Sequence, residues 1–227
     1  DLTFNGGTLT VLGSGSTAFN MANPSGFTTT KGTGVGTISM TSASTKTFAG
    51  NSATYNCYID QGGAGVLTIG GLNTFDGIKS SYATSTGNAN ITLPTTGNTT
   101  ILTGITGGSS ATNLLGLNGA NANSKANILI ANTSNQSASY LQTKNMIFMA
   151  SNLPTDGTAP WRWYLANSVN NGDTLGAIFQ DNSANAAPTV YFINTGTSFT
   201  IPSDWNSSNN KVYIYGAGGG SAGSMSN

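Results

Sequence analysis

The sequence predicts an all-β protein, β-solenoid-like or β-helix-like over residues 1–152 and β-sandwich-like, smaller and glycine-rich over 153–227. Three observations carry this. Apolar residues fall in short runs with a period near two, the alternation of strands with one buried face. Gly, Ser, Thr and Asn supply 119 of the 227 residues and separate those runs with turn chemistry. Helix formers are scarce: Glu is absent and Lys is thinly scattered, while β-branched and turn-forming residues dominate, so no segment reads as an amphipathic helix.

In order along the chain, residues 9–12 (Leu-Thr-Val-Leu) are the first alternating run. Strands over 36–40 and 46–48 follow, and then 54–59, where alternation sets Cys57 beside apolar neighbours. A Gly-Gly-Ala-Gly turn at 62–65 leads into 66–69, and 73–75, 90–93 and 100–102 are short runs between polar turns. Residues 126–131 and 145–150 are longer aliphatic runs. Strands this short cover little alone, and stacking in parallel rungs about 4.8 Å apart lets their side chains share one narrow core. A sandwich or jelly roll with longer, twisted strands is the alternative; strand length and turn density favour the stack. Thr45-Lys-Thr-Phe-Ala-Gly50 and Leu72-Asn-Thr-Phe-Asp-Gly77 share a Thr-Phe-x-Gly core.

The texture changes after Pro154, which sets a boundary near 152–160. Residues 161–166, 176–180, 189–194, 198–201 and 211–215 read as strands, with 189–201 forming a hairpin about Asn194-Thr-Gly196. The stretch 216–223 is either a flexible linker or ordered glycine packing.

Net charge is zero, with seven cationic and seven acidic residues, so no long-range field draws the chain to nucleic acid or to anionic lipid. No apolar run approaches a membrane span, and no membrane insertion is expected. With aromatic residues at 9%, the chain reads as folded around a thin core. Cys57 is the single cysteine, which rules out an intrachain disulfide and reads as a small buried hydrophobe. The first residue is Asp, which is read as the mark of a processed or excised chain.

The absence of His excludes Ser-His-Asp and Cys-His nucleophilic sites and imidazole-dependent metal sites. No catalytic residue, cofactor or metal ligand is assigned. The seven Asp residues mostly sit beside Gly, Asn or Ser as turn residues do. Asp60 and Asp76 are the pair that successive rungs would bring face to face, as a glycosidase needs. Gly32–Gly36 and Gly104–Gly108 lack the Lys-Ser/Thr ending of a phosphate loop and read as bends. The candidate binding residues are aromatic. Trp161, Tyr164 and Trp205 suit stacking on uncharged sugar rings. Trp161 and Trp163 share one face of their strand and Arg162 and Tyr164 the other, so the competing reading is that large rings close the end of a thin core.

Two stretches resemble virion structural proteins of tailed bacteriophages. Ser44-Thr-Lys-Thr-Phe-Ala-Gly50, Asp60-Gln-Gly-Gly-Ala-Gly-Val-Leu-Thr-Ile-Gly70 and Leu72-Asn-Thr-Phe-Asp-Gly-Ile78 are similar to a recurrent segment of β-helical phage proteins. Trp163-Tyr-Leu-Ala-Asn-Ser-Val-Asn-Asn-Gly172 with Gly176-Ala-Ile-Phe179 resembles the end of such segments, although the family has Trp where Ala177 stands. Phe199-Thr-Ile-Pro-Ser-Asp-Trp-Asn206, followed by Asn210-Lys-Val-Tyr-Ile-Tyr-Gly-Ala-Gly-Gly-Gly220, resembles the opening of glycine-rich tail-fibre modules. The resemblance covers about 44–79 and 126–220. It implies a tail-fibre or tail-tip segment on the virion exterior, a homo-oligomer with trimer favoured, contacts with other virion proteins, and attachment to a host-surface glycan or protein. A capsid decoration or head-fibre protein, a secreted bacterial or archaeal adhesin or filament subunit, and a depolymerase using an Asp pair are the alternatives.

Overall fold

The computed structural model describes residues 2–25, 27, 29–120, 124–131, 136–150 and 163–180. All lie in the first of two compact units, Asp1–Ala187. The described chain is all-β. Its strands are β1 (Leu2–Thr3), β2 (Thr8–Val11), β3 (Gly15–Asn20), β4 (Thr29–Thr30), β5 (Gly36–Met40), β6 (Lys46–Ala49), β7 (Thr54–Gln61), β8 (Leu67–Gly70) and β9 (Thr74–Lys79). After the short helix α1 (Ser81–Ser85) come β10 (Ala89–Leu93), β11 (Asn98–Ile105), β12 (Leu115–Gly119), β13 (Ala126–Ile130), β14 (Gln136–Ser139) and β15 (Leu141–Lys144). The last are β16 (Met146–Ala150), β17 (Trp163–Ala166), β18 (Val169–Asn170) and β19 (Ala177–Gln180). The strands expected over 189–194, 198–201 and 211–215, and the glycine-rich stretch 216–223, lie outside the described residues.

Two seven-stranded sheets organise the chain. The first runs β2-β5-β7-β9-β11-β13-β16 and the second β3-β6-β8-β10-β12-β15-β18, so successive strands alternate between them. Parallel neighbours cannot be joined by a tight hairpin. Here each return passes through the other sheet, adding one strand to each. Two shorter parallel sheets, β1-β4 and β14-β17-β19, supply further strands at the two ends of the order, and pairing runs past residue 152.

The register converts the period-two pattern into columns. Leu9, Ile38, Ile59, Ile78 and Ile105 are successive partners in the first sheet. Leu67, Ile91 and Leu117 are partners in the second. From Ile38 and Leu67 onward these side chains are buried; each fully buried aliphatic contributes about 1.5–3 kcal/mol. On the early strands of the two sheets Phe19, Phe48, Tyr55 and Phe75 form an aromatic cluster, with Phe19 stacked on Phe48 at 4.4 Å. Burial pushes the Tyr55 phenol up to about 12, and its hydroxyl donates to Gly50 O at 2.9 Å. The outward positions are polar: Thr47, Thr68, Thr92, Asn118 and Lys144 are successive partners, and Asn127 Nδ2 donates to Asn98 Oδ1 at 3.1 Å one strand away.

Two local features depart from the sequence reading. Helix α1 forms in a chain with no helical pattern. Its cap explains it: Ser80 is extended and its side chain accepts from Ala83 N, while Ala83 is buried and Tyr82 packs partly against the core. Gly104, read as part of a bend, is instead a strand residue of β11 at a bulge.

Cys57 is fully buried, as its alternation predicts, and burial is the main cause that pushes its thiol up to about 12. A thiol with so little thiolate reacts slowly. In the native chain at pH 8 it is expected to resist a disulfide reagent such as Ellman's reagent and to react fully once urea unfolds the protein. Rapid reaction without denaturant would contradict the packing around it.

Candidate functional site

Of the aromatic residues expected to bind sugar, Trp161 and Trp205 lie outside the described residues. Tyr164 is on β17, half-buried, in register between Ser137 and Ile178. Its neighbours Trp163 and Leu165 turn inward and are buried, so the alternation of faces holds. Trp163 packs on Phe148 with ring centroids 5.3 Å apart. That ring therefore closes the core, and its Nε1 finds no hydrogen-bond partner.

The Asp pair is not brought face to face. Asp60 lies opposite Lys79 in the β7–β9 ladder, three residues beyond Asp76, an offset of about 10 Å along the strand. The bulge in this ladder, where Asn56-Cys57 on β7 oppose the single residue Asp76, shortens the offset by one residue, and Leu102-Thr103 on β11 oppose Asp76 from its other side. Both carboxylates are buried. Asp60 accepts from Ser39 Oγ at 2.6 Å, Ser81 N at 2.7 Å and Ser81 Oγ at 2.8 Å, which fastens the start of α1 to β7. Asp76 pairs with Lys31 and lies 3.3 Å from Thr103 Oγ1. This pair straps the segment around β4 to the first sheet, beside Asn56 Nδ2 donating to Thr29 O. Neither carboxylate presents a face to a bulky substrate.

The Lys31 strap is testable because its two ends differ in burial: the lysine side chain is 39% exposed and the aspartate fully buried. Lys31→Ala leaves the carboxylate desolvated and poorly paired, and is expected to cost about 1–3 kcal/mol in urea unfolding. Asp76→Asn added to Lys31→Ala is expected to recover part of that loss. An additive double variant would show that the pair is not coupled.

An open groove of about 390 Å³ is lined by Asn20, Met21, Ala22, Ala49, Asn51, Gly70 and Gly71. Its floor follows the register Asn20–Ala49–Gly70, where the second sheet ends and the chain turns. The turns need left-handed backbone at Asn51 (φ 51°) and Gly71 (φ 84°). Asn51 Nδ2 donates to Ala22 O at 3.4 Å, holding one wall to the other. The lining is neutral, and its amide side chains both donate and accept, which suits an uncharged, hydroxyl-bearing ligand. In the sequence these residues look like ordinary turn residues, and only the register brings them together. Among the described residues no three of His, Cys, Asp and Glu converge.

No protein-family model, no curated protein and no solved structure matches the chain, so its fold and its candidate groove stand on its own residues.

Proposed function

We propose that the stacked sheets form a β-solenoid and that the chain is a structural segment of a phage virion, a tail-fibre or tail-tip element that contributes to host-surface attachment. One observation carries the reading: fourteen strands in two continuous parallel ladders, with mostly apolar columns inside, broken by Lys46, Asp60, Asp76 and a few buried polar groups, and a column of Thr and Asn outside. Such a stack gains length and stiffness by repetition and presents hydrogen-bonding groups at a regular spacing. Three of the stretches that resemble phage virion proteins fall on consecutive parts of it: residues 44–50 contain β6, 60–70 run from the end of β7 through β8, and 72–78 run into β9, whereas 199–206 and 210–220 lie outside the described residues.

Attachment by such an element rests on hydrogen bonding, shape and valency. Neutral contacts are screened far less by salt than ion pairs, and a homotrimer would multiply weak contacts. The groove beside Asn20 and Asn51, together with the half-buried Tyr164, is where an uncharged host glycan would meet the described surface.

Antibodies raised against the chain test the assignment by immunogold electron microscopy of purified virions. Gold on tail fibres or the tail tip is the expected result. Gold over the capsid would replace the assignment with a head-fibre or decoration protein. Labelling of cells but never of particles would replace it with a secreted adhesin.

A further inference from the structure

Lys46 is the most unusual side chain of the interior. It occupies a core column of the second sheet, between Gly15 and Leu67, and is fully buried. A buried ammonium ordinarily needs a carboxylate. Among the described residues the one ion pair is Lys31–Asp76, so Lys46 has none. Its Nζ donates instead to two backbone carbonyls, Ser42 O at 2.8 Å and Gly65 O at 3.0 Å. Burial lowers the amine to about pKa 8, against a smaller opposing effect of the Asp60 charge, so about a tenth is free amine at pH 7 and about half at pH 8.

Gln61 reaches the same corner from the end of β7 and is also fully buried. Its Nε2 donates to the same Gly65 O and to Asn90 O at 3.1 Å, while its Oε1 is buried without a hydrogen-bond partner. Two nitrogens that share one acceptor oxygen lie within roughly 6 Å of each other. The carboxamide carbon is one bond from Nε2. A buried amine with no carboxylate in ion-pair contact and a buried carboxamide whose oxygen lacks a donor thus meet at one backbone oxygen.

We infer that Lys46 and Gln61 become joined by an intramolecular isopeptide bond. The free amine of Lys46 attacks Gln61 Cδ, the Cδ–Nε2 bond breaks, and a proton passes from Nζ to the departing nitrogen, which leaves as ammonia. One amide replaces another and no oxidant or reductant is needed. The product removes the buried positive charge and retains one N–H for a backbone carbonyl. Enclosure in the fold supplies the high effective concentration that the slow reaction of an amine with an amide requires, and the surrounding core keeps water from competing. The bond ties β6 of the second sheet to β7 of the first.

Intact-mass spectrometry of the folded, then denatured, full chain tests this. A product lighter by one ammonia is expected, increasing on incubation at pH 9 because more of the amine is then free. Digestion should show loss of tryptic cleavage after Lys46 and a branched peptide linking Lys46 to Gln61. Lys46→Met and Gln61→Met are each expected to keep their full sequence mass; if either fails to fold, the wild-type mass and peptide map decide alone. A full-mass chain after prolonged incubation overturns the inference. So does ammonia loss that maps to an Asn-Gly succinimide such as Asn5-Gly6, or a Lys46 amine that is fully modified by reductive methylation after denaturation.

Discussion

Phe48→Ala is expected to lower the free energy of unfolding by about 3–5 kcal/mol, the range of large aromatic truncations in a core that cannot close over the gap. Phe48 is fully buried within the aromatic cluster and contacts three of its rings. It stacks on Phe19 at 4.4 Å, meets Tyr55 edge-on at 5.0 Å and lies 5.5 Å from Phe75. Collapse is blocked on both sides, because β6 is held in register by β3 and β8. The residue therefore leaves a cavity as well as losing its transfer energy. Phe19→Ala is the internal control. That ring is only half-buried, on a strand with no partner beyond it in the sheet order, and water can fill part of the space it leaves. It should cost less than half as much. Urea titrations of both variants with the wild type decide the matter, and equal losses would mean that the cluster is not organised about Phe48.

The core was legible where the pattern itself is the physics. Strands with two or three inward apolar residues, such as β5, β7, β8, β10 and β13, coincide with runs the alternation identifies. Strands whose residues are almost all small or polar were missed: β3 is Gly-Ser-Thr-Ala-Phe-Asn and β14 is Gln-Ser-Ala-Ser. In a parallel ladder the neighbouring backbone holds such a segment extended, so its own composition need not. Helix α1 escaped for the converse reason, since a five-residue helix with one buried side chain leaves no period to detect. Cys57 was placed correctly by alternation, whereas the mutual position of Asp60 and Asp76 was not. Alternation assigns each residue to a face but not to a partner on the neighbouring strand, and the β7–β9 register sets Asp60 against Lys79. The groove was invisible for a related reason: Asn20, Asn51 and Gly70 belong to three rungs that only the register aligns. The chemistry of Lys46 was equally hidden, because a lone lysine in a polar sequence reads as a surface residue.

Gly63→Ala should be strongly damaging for a single-methyl addition in the corner that follows β7. A Cβ at this position would lie 2.3 Å from Ser42 O and 2.4 Å from Thr41 O, both backbone atoms of the preceding rung. Neither can swing aside as a side-chain tip would, so the two turns must part. Parting them strains the corner where Gly62 N donates to Met40 O at 3.1 Å and where Lys46 holds Ser42 O and Gly65 O. Overpacking of this kind costs about 1–3 kcal/mol, and the exposed ends of those buried bonds add to it. Gly70→Ala supplies the contrast: its Cβ would meet Ala49 Cα at 3.6 Å, an ordinary contact, on a strand that faces the open groove. That change should leave stability unaltered or slightly raised, because alanine loses less backbone freedom than glycine on folding. A midpoint shift confined to Gly63→Ala would establish that the turns, and not only the aliphatic columns, hold successive rungs at their spacing. Equal behaviour of the two variants would place that control in the core alone.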